Sequence, residues 1–299
     1  MRAITITQYG EPDVLRLAEV PAPEPGPGQV RVAVKAAGVN PIDWKLRSGA
    51  MAEARPLEFP HILGLELAGV VDAVGEGTEF AVGDEVFGWS DTGAYAEYAL
   101  ATNVIRKPAG LSWSEAAALP IAGETALRVL GELEVKPGET IVIHGASGQV
   151  GRVATQAAVA LGATVVGLAG ASSLDEVKAL GALPVQYGDG WVSRVRSVAP
   201  GGVDAVFDAA GFGVLGDSVD LLGSSDRLIT IADPAAFAQG LRFSASGSET
   251  AAVLEDLVSR ELKIKLGSSY GLADVAEVAE AHRESVTGHA GGKITLVTN

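Results

Sequence analysis

The chain of 299 residues contains no cysteine. This absence excludes disulfide bonds, cysteine-ligated zinc, iron–sulfur clusters and thiol nucleophiles together. It also fits a reducing compartment, and we expect a cytoplasmic protein.

Positive charge is scarce as well. Lys and Arg together number 22 against 37 Asp and Glu, which gives a formal net charge of −15. An acidic surface argues against nucleic acid or an anionic membrane as the main partner. No apolar run approaches the ~18 residues of a membrane helix. The opening MRAITITQYGEP alternates like a strand, and we expect no signal peptide.

The order of apolar segments predicts two domains. Residues 1–110 alternate apolar and polar in short runs separated by Gly and Pro, which favours strands. Residues 111–135 are helical in pattern. From residue 139, five predicted strands alternate with helices, which indicates a doubly wound parallel sheet. Two further strands, predicted at 262–266 and 293–297, follow near the end of the chain.

One glycine-rich turn lies inside a predicted βαβ unit. Residues 140–144 form an apolar strand, residues 145–151 read GASGQVG, and apolar residues then recur at helical spacing up to Gly162. Glycine lets the backbone approach a ligand closely, and the amides that open the helix favour an anion. The spacing is Ala146-x-Gly148-x-x-Gly151, with Ala at the first glycine of the dinucleotide fingerprint. The alternative is a tight turn that holds no ligand.

Several further motifs occur together and in order. They are Ala37-Gly38-Val39-Asn40-Pro41-Ile42-Asp43, Gly64-Leu65-Glu66-Leu67-Ala68-Gly69-Val70-Val71, Val82-Gly83-Asp84-Glu85-Val86-Phe87-Gly88, Gly93-Ala94-Tyr95-Ala96-Glu97-Tyr98, Ala117-Ala118-Leu119-Pro120 and Thr125-Ala126. With the glycine turn, they resemble the medium-chain dehydrogenase/reductase superfamily in its zinc-free quinone oxidoreductase branch.

The resemblance implies an α/β fold with two domains. A GroES-like catalytic domain would comprise residues 1–115 and 265–299, and a Rossmann domain residues 116–264, with a cleft between them. Zinc alcohol dehydrogenases of the superfamily carry Gly-His-Glu where this chain has Gly64-Leu65-Glu66. Leu65 therefore occupies the position of the metal-binding His, and we expect no metal.

Cofactor-binding residues follow from the turn and from the resemblance. The turn contributes Ala146, Ser147, Gly148, Gln149, Val150 and Gly151, and the resemblance adds Asn40, Thr125, Ala209, Ile231 and Lys293. An acidic residue that would bind the ribose 2′-OH of NAD is missing, since Gly170 stands at its position. Ser172, Ser173 and Tyr187 would instead contact a 2′-phosphate, so we expect NADPH. The serines could equally cap a helix, and Tyr187 could be a packing residue.

The resemblance also suggests the chemical groups. Asn40 and Thr125 would donate hydrogen bonds where negative charge develops, and Lys45 or water would supply a proton. Asn40 could instead cap a helix, Lys45 could be solvated, and Asp43 reads as structural.

The substrate pocket is predicted from three side chains. His61, Trp89 and Tyr95 would line it, although packing alone explains each of them. The four histidines, His61, His144, His282 and His289, show no metal-binding spacing.

These expectations converge on one activity. The chain should reduce the activated C=C of an α,β-unsaturated carbonyl compound, or a quinone, by hydride transfer from NADPH. The alternatives are an enoyl-thioester or polyketide-intermediate reductase and, in another class, a cofactor-binding scaffold protein without turnover. The partner would be a small-molecule substrate, with a possible homodimer.

Overall fold

The computed structural model describes residues 1–245, 247, 249–288 and 290–298, so His289 lies outside the described residues. Its contacts divide the chain into two compact units. Unit 1 comprises Met1–Ile121, Glu249–Val258 and Ile264–Asn299, and unit 2 comprises Ala122–Ser248 and Ser259–Lys263. The domain boundaries at 115 and 264 remain predictions.

The strands and helices follow one another along the whole chain. The strands are β1 (Arg2–Ile6), β2 (Arg16–Glu19), β3 (Val30–Gly38), β4 (His61–Ile62), β5 (Glu66–Val74), β6 (Glu85–Trp89), β7 (Tyr98–Ala101), β8 (Val104–Arg106), β9 (Thr140–His144), β10 (Thr164–Ala169), β11 (Leu183–Gln186), β12 (Ala205–Asp208), β13 (Leu228–Thr230), β14 (Arg242–Phe243), β15 (Leu266–Gly271) and β16 (Lys293–Val297). The α-helices are α1 (Pro41–Ser48), α2 (Trp113–Glu132), α3 (Gln149–Leu161), α4 (Leu174–Ala179), α5 (Trp191–Val198), α6 (Leu215–Leu222), α7 (Ala235–Gln239), α8 (Ala251–Ser259) and α9 (Val275–Thr287). Short 3-10 helices span Pro12–Val14 and Ala171–Ser173.

Unit 1 is built on two β-sheets. A three-stranded antiparallel sheet has the order β2-β1-β4. A seven-stranded sheet has the order β15-β16-β3-β5-β6-β8, and β7 pairs with β3. Residues Val30, Val32 and Val34 of β3 alternate into the core, as the period-2 pattern predicts. Helices α1 and α9 pack beside these sheets and contribute Leu46 and Val278 to the same apolar core.

Unit 2 contains a six-stranded sheet of order β11-β10-β9-β12-β13-β14 in which all neighbouring strands are parallel. The direction in which successive strands are added changes between β9 and β12. Strands β10 and β11 follow on one side of this point, and β12, β13 and β14 lie on the other. This arrangement confirms the doubly wound α/β prediction. Among the described residues, no helix combines the length and apolarity needed to cross a bilayer.

One predicted strand is misplaced. The strand predicted at 262–266 is wrong, because β15 begins at Leu266. The side chain of Gln156 bonds both the amide and the carbonyl of Lys263, at 3.1 and 2.8 Å, and so occupies the groups that a strand would use. Strand β7 begins only at Tyr98, because the amides of Ala94 and Tyr95 bond the loop carbonyls of Gly64 and Leu63.

The glycine turn of unit 2 is closed by backbone packing. Gly145 has φ +78°, and a Cβ on Gly151 would lie 2.0 Å from the carbonyl oxygen of Gly145. Only glycine therefore lets α3 approach the turn this closely. Ala146, which replaces the usual first glycine, is fully buried, and a Cβ on Gly167 of β10 would lie 2.9 Å from its methyl group. The absent side chain of Gly167 makes room for the extra methyl of Ala146.

A carboxyl group is buried in unit 1. Asp43 of α1 has no exposed surface, and its Oδ2 accepts the backbone N–H of Asn40 at 2.7 Å. Burial raises the pKa of Asp43 to about 7; the bond from Asn40 and the charge of Lys293 oppose this, while Glu66 adds to it. Asp43 is therefore a buried carboxyl group whose pKa is about 7 in the folded protein.

Substituting Gly151→Ala should destabilise the protein, because the new methyl group overlaps the Gly145 carbonyl. We expect a loss of about 1–3 kcal/mol in the free energy of unfolding. Gly216→Ala in α6 is the matched control, since nothing lies within 4 Å of its Cβ position. It should be neutral or stabilising by up to ~1 kcal/mol. Denaturant unfolding measures both variants, and equal stabilities for the two would contradict the packing argument.

Substituting Asp43→Asn should change how stability depends on pH. The folded protein keeps the Asp43 proton up to about pH 7, whereas the unfolded chain releases it near the ordinary value of 3.8. Unfolding in this window releases a proton, so the stability from this group is full below pH 3.8 and is lost as pH rises through 7. The free energy of unfolding of Asp43→Asn relative to wild type should rise with pH, by up to ~1.4 kcal/mol per pH unit.

The control for this experiment is Asp84→Asn. A hydrogen bond from the Ala81 amide lowers the pKa of half-buried Asp84, so this carboxyl is ionised in both the folded and the unfolded chain at pH values well above 3.8, and the Asp84→Asn difference from wild type should stay nearly constant between about pH 5 and 8. Denaturant titrations between pH 4 and 8 measure these differences. A constant difference between Asp43→Asn and wild type over this range would show that Asp43 titrates normally.

Candidate active site

The polar centre of unit 1 is Asn40, directly before α1. Proline at the first helical position begins α1. Asn40 is the N-cap residue of this helix and forms a capping box with Asp43. Its Oδ1 accepts from Lys293 Nζ at 2.5 Å, and its Nδ2 donates to Glu66 Oε1 at 2.8 Å. The helix-cap alternative is compatible with these two side-chain bonds.

Glu66 and Lys293 form a buried ion pair beside Asn40. Lys293 Nζ lies 2.5 Å from Glu66 Oε1, and the two side chains are 1% and 0% exposed. Glu66 Oε2 accepts the amide of Ile121 at 2.8 Å. Both oxygens of this carboxylate are thus engaged by donors.

Tyr95 is a neighbour of Asp43. Its ring is fully buried and packs edge-to-face on His282, with 5.8 Å between ring centroids. Burial and the neighbouring Asp43 carboxylate raise the pKa of Tyr95 well above its ordinary value. Burial lowers the pKa of His282 to about 3, so the neutral ring accepts from Arg47 Nε at 3.2 Å. The Tyr95 hydroxyl is a neutral group at any pH near 7.

The remaining predicted residues of unit 1 are spread out. Trp89 is 2% exposed and stands opposite Glu66 in the β5–β6 ladder. His61 lies on β4, half-buried, and burial lowers its pKa. Lys45 Nζ lies 5.7 Å from the centre of the Trp44 ring. The structure brings Asn40, Lys293 and Tyr95 into one neighbourhood around Asp43, and it does not bring Lys45 into the Asn40 hydrogen bonds.

In unit 2 the glycine turn opens a helix of 13 residues. Gly148 precedes α3, and the Arg152 amide is the first to bond back to the Gly148 carbonyl. The amides of Gln149, Val150 and Gly151 therefore begin the helix without an acceptor inside it. Such amides, together with the helix dipole, bind an anion such as a pyrophosphate. Ser147 and Val150 are half-buried at this helix start, and Ala146 is buried beneath it.

The segment after β10 is open. A Cβ on Gly170 would meet nothing within 4 Å. Ser172 is exposed and Ser173 is half-buried; Ser173 precedes α4 without a side-chain cap bond, so the helix-cap alternative is wrong for its hydroxyl. Tyr187 follows β11, its amide donates to the Ala169 carbonyl, and burial raises its pKa. A small residue and two hydroxyls thus stand where an acidic residue would bind the 2′-OH of a ribose.

Asp208, which the sequence did not single out, shapes the next two strand ends. Its Oδ1 accepts the amides of Ala210 and Gly211 at 3.0 Å each, and its Oδ2 accepts Thr230 Oγ1 at 2.8 Å. The carbonyl of Asp208 accepts the Ile231 amide. Ala209 and Ile231 therefore lie at neighbouring carboxyl ends of the sheet, where ligands of open α/β sheets bind. Thr125 belongs to α2 within unit 2 and is half-buried.

The donor set in unit 1 does not fit zinc. Leu65 offers no ligand atom, and both Glu66 oxygens already bond to Lys293, Asn40 and Ile121. Throughout the described part of the chain, no three His, Asp or Glu side chains are grouped so as to hold a metal ion. Zinc ligation requires several nitrogen, thiolate or free carboxylate donors, and Leu65 and Glu66 supply none of them.

Glu66 belongs to the polar centre of unit 1, and sequence reasoning did not predict its place there. A usable signal existed, because an acid in the otherwise apolar segment 65–71 must find a buried partner. The sequence could not identify that partner, since Lys293 stands more than 200 positions later.

Comparison with known proteins places this geometry in a family. The family model for the alcohol dehydrogenase GroES-like domain matches residues 26–109, and the model for the zinc-binding dehydrogenase matches residues 150–284. The human quinone oxidoreductase is 32% identical over 326 aligned positions, which cover 99% of this chain and 98% of the human protein. The pikromycin polyketide synthase component PikAII of Streptomyces venezuelae is 36% identical over 222 positions, which cover 71% of this chain and 6% of that protein.

Solved structures agree with this. A crystal structure of an NAD-dependent alcohol dehydrogenase superposes with a TM-score of 0.87 at 31% identity and full coverage of both chains. A mycobacterial protein complexed with NADPH has a TM-score of 0.84 at 29% identity, with 99% of both chains covered. The chain therefore belongs to the medium-chain dehydrogenase/reductase superfamily, in its quinone oxidoreductase branch.

Proposed function

We propose that this oxidoreductase reduces the activated C=C of α,β-unsaturated carbonyl compounds, or quinones, with NADPH. The observation that carries the proposal is a polar centre with hydrogen-bond donors and no metal-binding donor set. Asn40 is held by Lys293 and Glu66, and Leu65 stands where a metal ligand would be needed.

The nature of that centre favours conjugate reduction over reduction of a simple ketone. A ketone concentrates the developing charge on one alkoxide oxygen, which a Lewis acid would normally stabilise. An enone or quinone spreads the charge over a conjugated system, so that a few oriented donors suffice. NADPH, when bound, supplies the hydride.

The residues of unit 2 would hold the cofactor. The open amides of Gln149, Val150 and Gly151 would bind the pyrophosphate. Ala209 and Ile231, at the carboxyl ends of β12 and β13, would border the nicotinamide half, as ligands of such sheets lie in that crevice. Thr125 would add a hydroxyl donor.

In unit 1, Asn40 would donate to the substrate carbonyl oxygen or to the nicotinamide ribose. Trp89 and Tyr95 are buried, so they would shape the pocket from behind, with His61 at its more open side. Lys45 or water would return the proton to the reduced product.

A second candidate is the reduction of an enoyl thioester. It is favoured by the match to a polyketide synthase component over 71% of this chain. The two candidates share the same hydride chemistry and differ in the group that activates the alkene. A scaffold protein without turnover is a third reading, and NADPH consumption separates it from both.

The preference for NADPH over NADH rests on the segment after β10. One structural neighbour is described as NAD-dependent and another was solved with NADPH, so the local residues carry the argument. No acid stands at Gly170 to repel a 2′-phosphate, and the hydroxyls of Ser172 and Ser173 are available as donors. Neutral hydrogen bonds contribute only about 0.5–1.5 kcal/mol each, so the expected preference is moderate.

The first expected outcome concerns the reaction. NADPH should be consumed with an enone or a quinone, and hardly at all with the matching saturated ketone. The decrease in NADPH absorbance with matched substrate pairs measures this. Equal turnover of the saturated ketone would refute conjugate reduction, and no turnover with any enone, enoyl thioester or quinone would favour the scaffold reading.

Asn40→Ala should lower kcat/KM by roughly 10- to 1000-fold, the range for loss of one oriented donor. Steady-state kinetics on the best substrate measures the effect, and thermal unfolding checks that the variant is folded. Asn103→Ala is the matched control, because Asn103 is half-exposed on the loop before β8. A fully active Asn40→Ala variant would remove Asn40 from the chemistry.

Gly170→Asp should weaken NADPH binding through charge repulsion and leave NADH binding unchanged or improved. The open space at Gly170 admits the new side chain without a clash. Gly170→Asn is the matched control, since it has the same shape without the charge. Fluorescence titration of both cofactors measures the dissociation constants. If wild type binds both equally, or if Asp and Asn act alike, the argument from the missing acid fails.

A further inference from the structure

We propose that the buried Glu66–Lys293 ion pair is a positioning device for the Asn40 carboxamide. It leaves Asn40 one N–H to offer to a bound ligand, while the Asn40 oxygen accepts from Lys293. The inference rests on the proposed function, in which Asn40 is the donor, and it assigns Lys293 an indirect role in place of direct cofactor contact.

The chemistry of the two partners fixes the orientation of the amide. Lys293 Nζ carries only donors and lies 2.5 Å from Asn40 Oδ1. The Glu66 carboxylate carries only acceptors, and its Oε1 lies 2.8 Å from Asn40 Nδ2. A flipped amide would place its NH₂ against the ammonium and its oxygen against the carboxylate.

The unused hydrogen-bond donor of Asn40 is found by counting the hydrogen bonds of its side chain. The amide has one oxygen and two N–H groups. Lys293 engages the oxygen and Glu66 engages one N–H. Within the described part of the chain, the second N–H has no protein acceptor among the bonds of Asn40. Asn40 is only 5% exposed, so this N–H is the group it can present to a ligand.

A second observation shows that the fold makes room for the ion pair. A Cβ on Gly38, the last residue of β3, would lie 2.1 Å from Glu66 Oε1. Glycine there lets the carboxylate reach Asn40 and Lys293. The Ile121 amide donates to the other carboxylate oxygen at 2.8 Å, so both oxygens of Glu66 are held by hydrogen bonds.

Stability alone is a weak reason for such a pair. Desolvation of both ions offsets most of their attraction, and apolar residues of similar volume often stabilise a fold at least as well. A role in orienting a neighbouring amide accounts for charges that packing does not require.

The kinetic test is a double-mutant cycle between Lys293→Met and Asn40→Ala. For the best enone or quinone, Asn40→Ala should lower kcat/KM by roughly 10- to 1000-fold, as above, and Lys293→Met by roughly 10- to 100-fold. If Lys293 acts through Asn40, the double variant should be within ~2-fold of Asn40→Ala alone. Multiplicative losses would overturn the inference, because Lys293 would then act independently of Asn40.

Two further variants separate positioning from folding. Glu66→Gln with Lys293→Met removes both charges, so it should unfold at a higher temperature than Lys293→Met while keeping the kinetic loss. Lys107→Met is the matched control, since the Lys107 side chain is 6% exposed and pairs with Glu85 at 3.1 Å without contacting Asn40. It should lower the melting temperature and leave kcat/KM within ~2-fold of wild type. Equal kinetic losses for Lys107→Met and Lys293→Met would overturn the inference.

A readout that does not depend on turnover uses asparagine-selective ¹⁵N labelling. The chain has three asparagines, Asn40, Asn103 and Asn299, so three side-chain NH₂ signals are expected. Asn40→Ala assigns the relevant pair. In wild type this pair should exchange with solvent at least ~10-fold more slowly than that of Asn103, and Lys293→Met should abolish the difference.

The NMR result keeps the two proposals separate. A wild-type enzyme that reduces no tested substrate contradicts the proposed function, while a protected Asn40 amide that responds to Lys293→Met still supports the positioning. An Asn40 pair that exchanges as fast as that of Asn103, or that ignores Lys293→Met, overturns the positioning even in an active enzyme.

Discussion

The buried ion pair of Glu66 and Lys293 is the interaction on which the polar centre of unit 1 depends. Two opposite charges without exposed surface are tolerated only when each finds donors or acceptors of matching geometry. Gly38 supplies the space, Ile121 supplies an amide, and Asn40 completes the set. The start of α1 is tied to the same centre, because Asp43 accepts the Asn40 amide.

Unit 2 depends on a different constraint, which is close backbone packing. Gly151 lets α3 meet the turn, and Gly167 makes room for Ala146. This chain thus keeps the geometry of the dinucleotide fingerprint with one substitution in it, because a glycine in the neighbouring strand compensates for the added methyl. The open segment at Gly170 then distinguishes it from folds that bind NAD through an acid.

The sequence predicted the features that local pattern controls. Alternating strands and helices predicted the parallel sheet, and the turn between strand and helix was located from its glycines and its context. The sequence pattern gave a wrong prediction where a distant side chain bonds the backbone. Gln156 bonds Lys263, and β15 begins at Leu266 and not at residue 262. The pattern also could not identify the partner of Asn40, because Lys293 is 253 positions away along the chain. It could not predict the raised pKa of Asp43 either, because that shift is caused mainly by burial.

The central claim is that hydride adds to the conjugated carbon of an enone while oriented donors stabilise the enolate. The most direct test is to run the reaction with NADPH deuterated at the transferred C4 position and to locate the deuterium in the product by NMR. Deuterium on the β-carbon of a saturated ketone is the result this account predicts. Deuterium on the hydroxyl-bearing carbon of an allylic alcohol would contradict it.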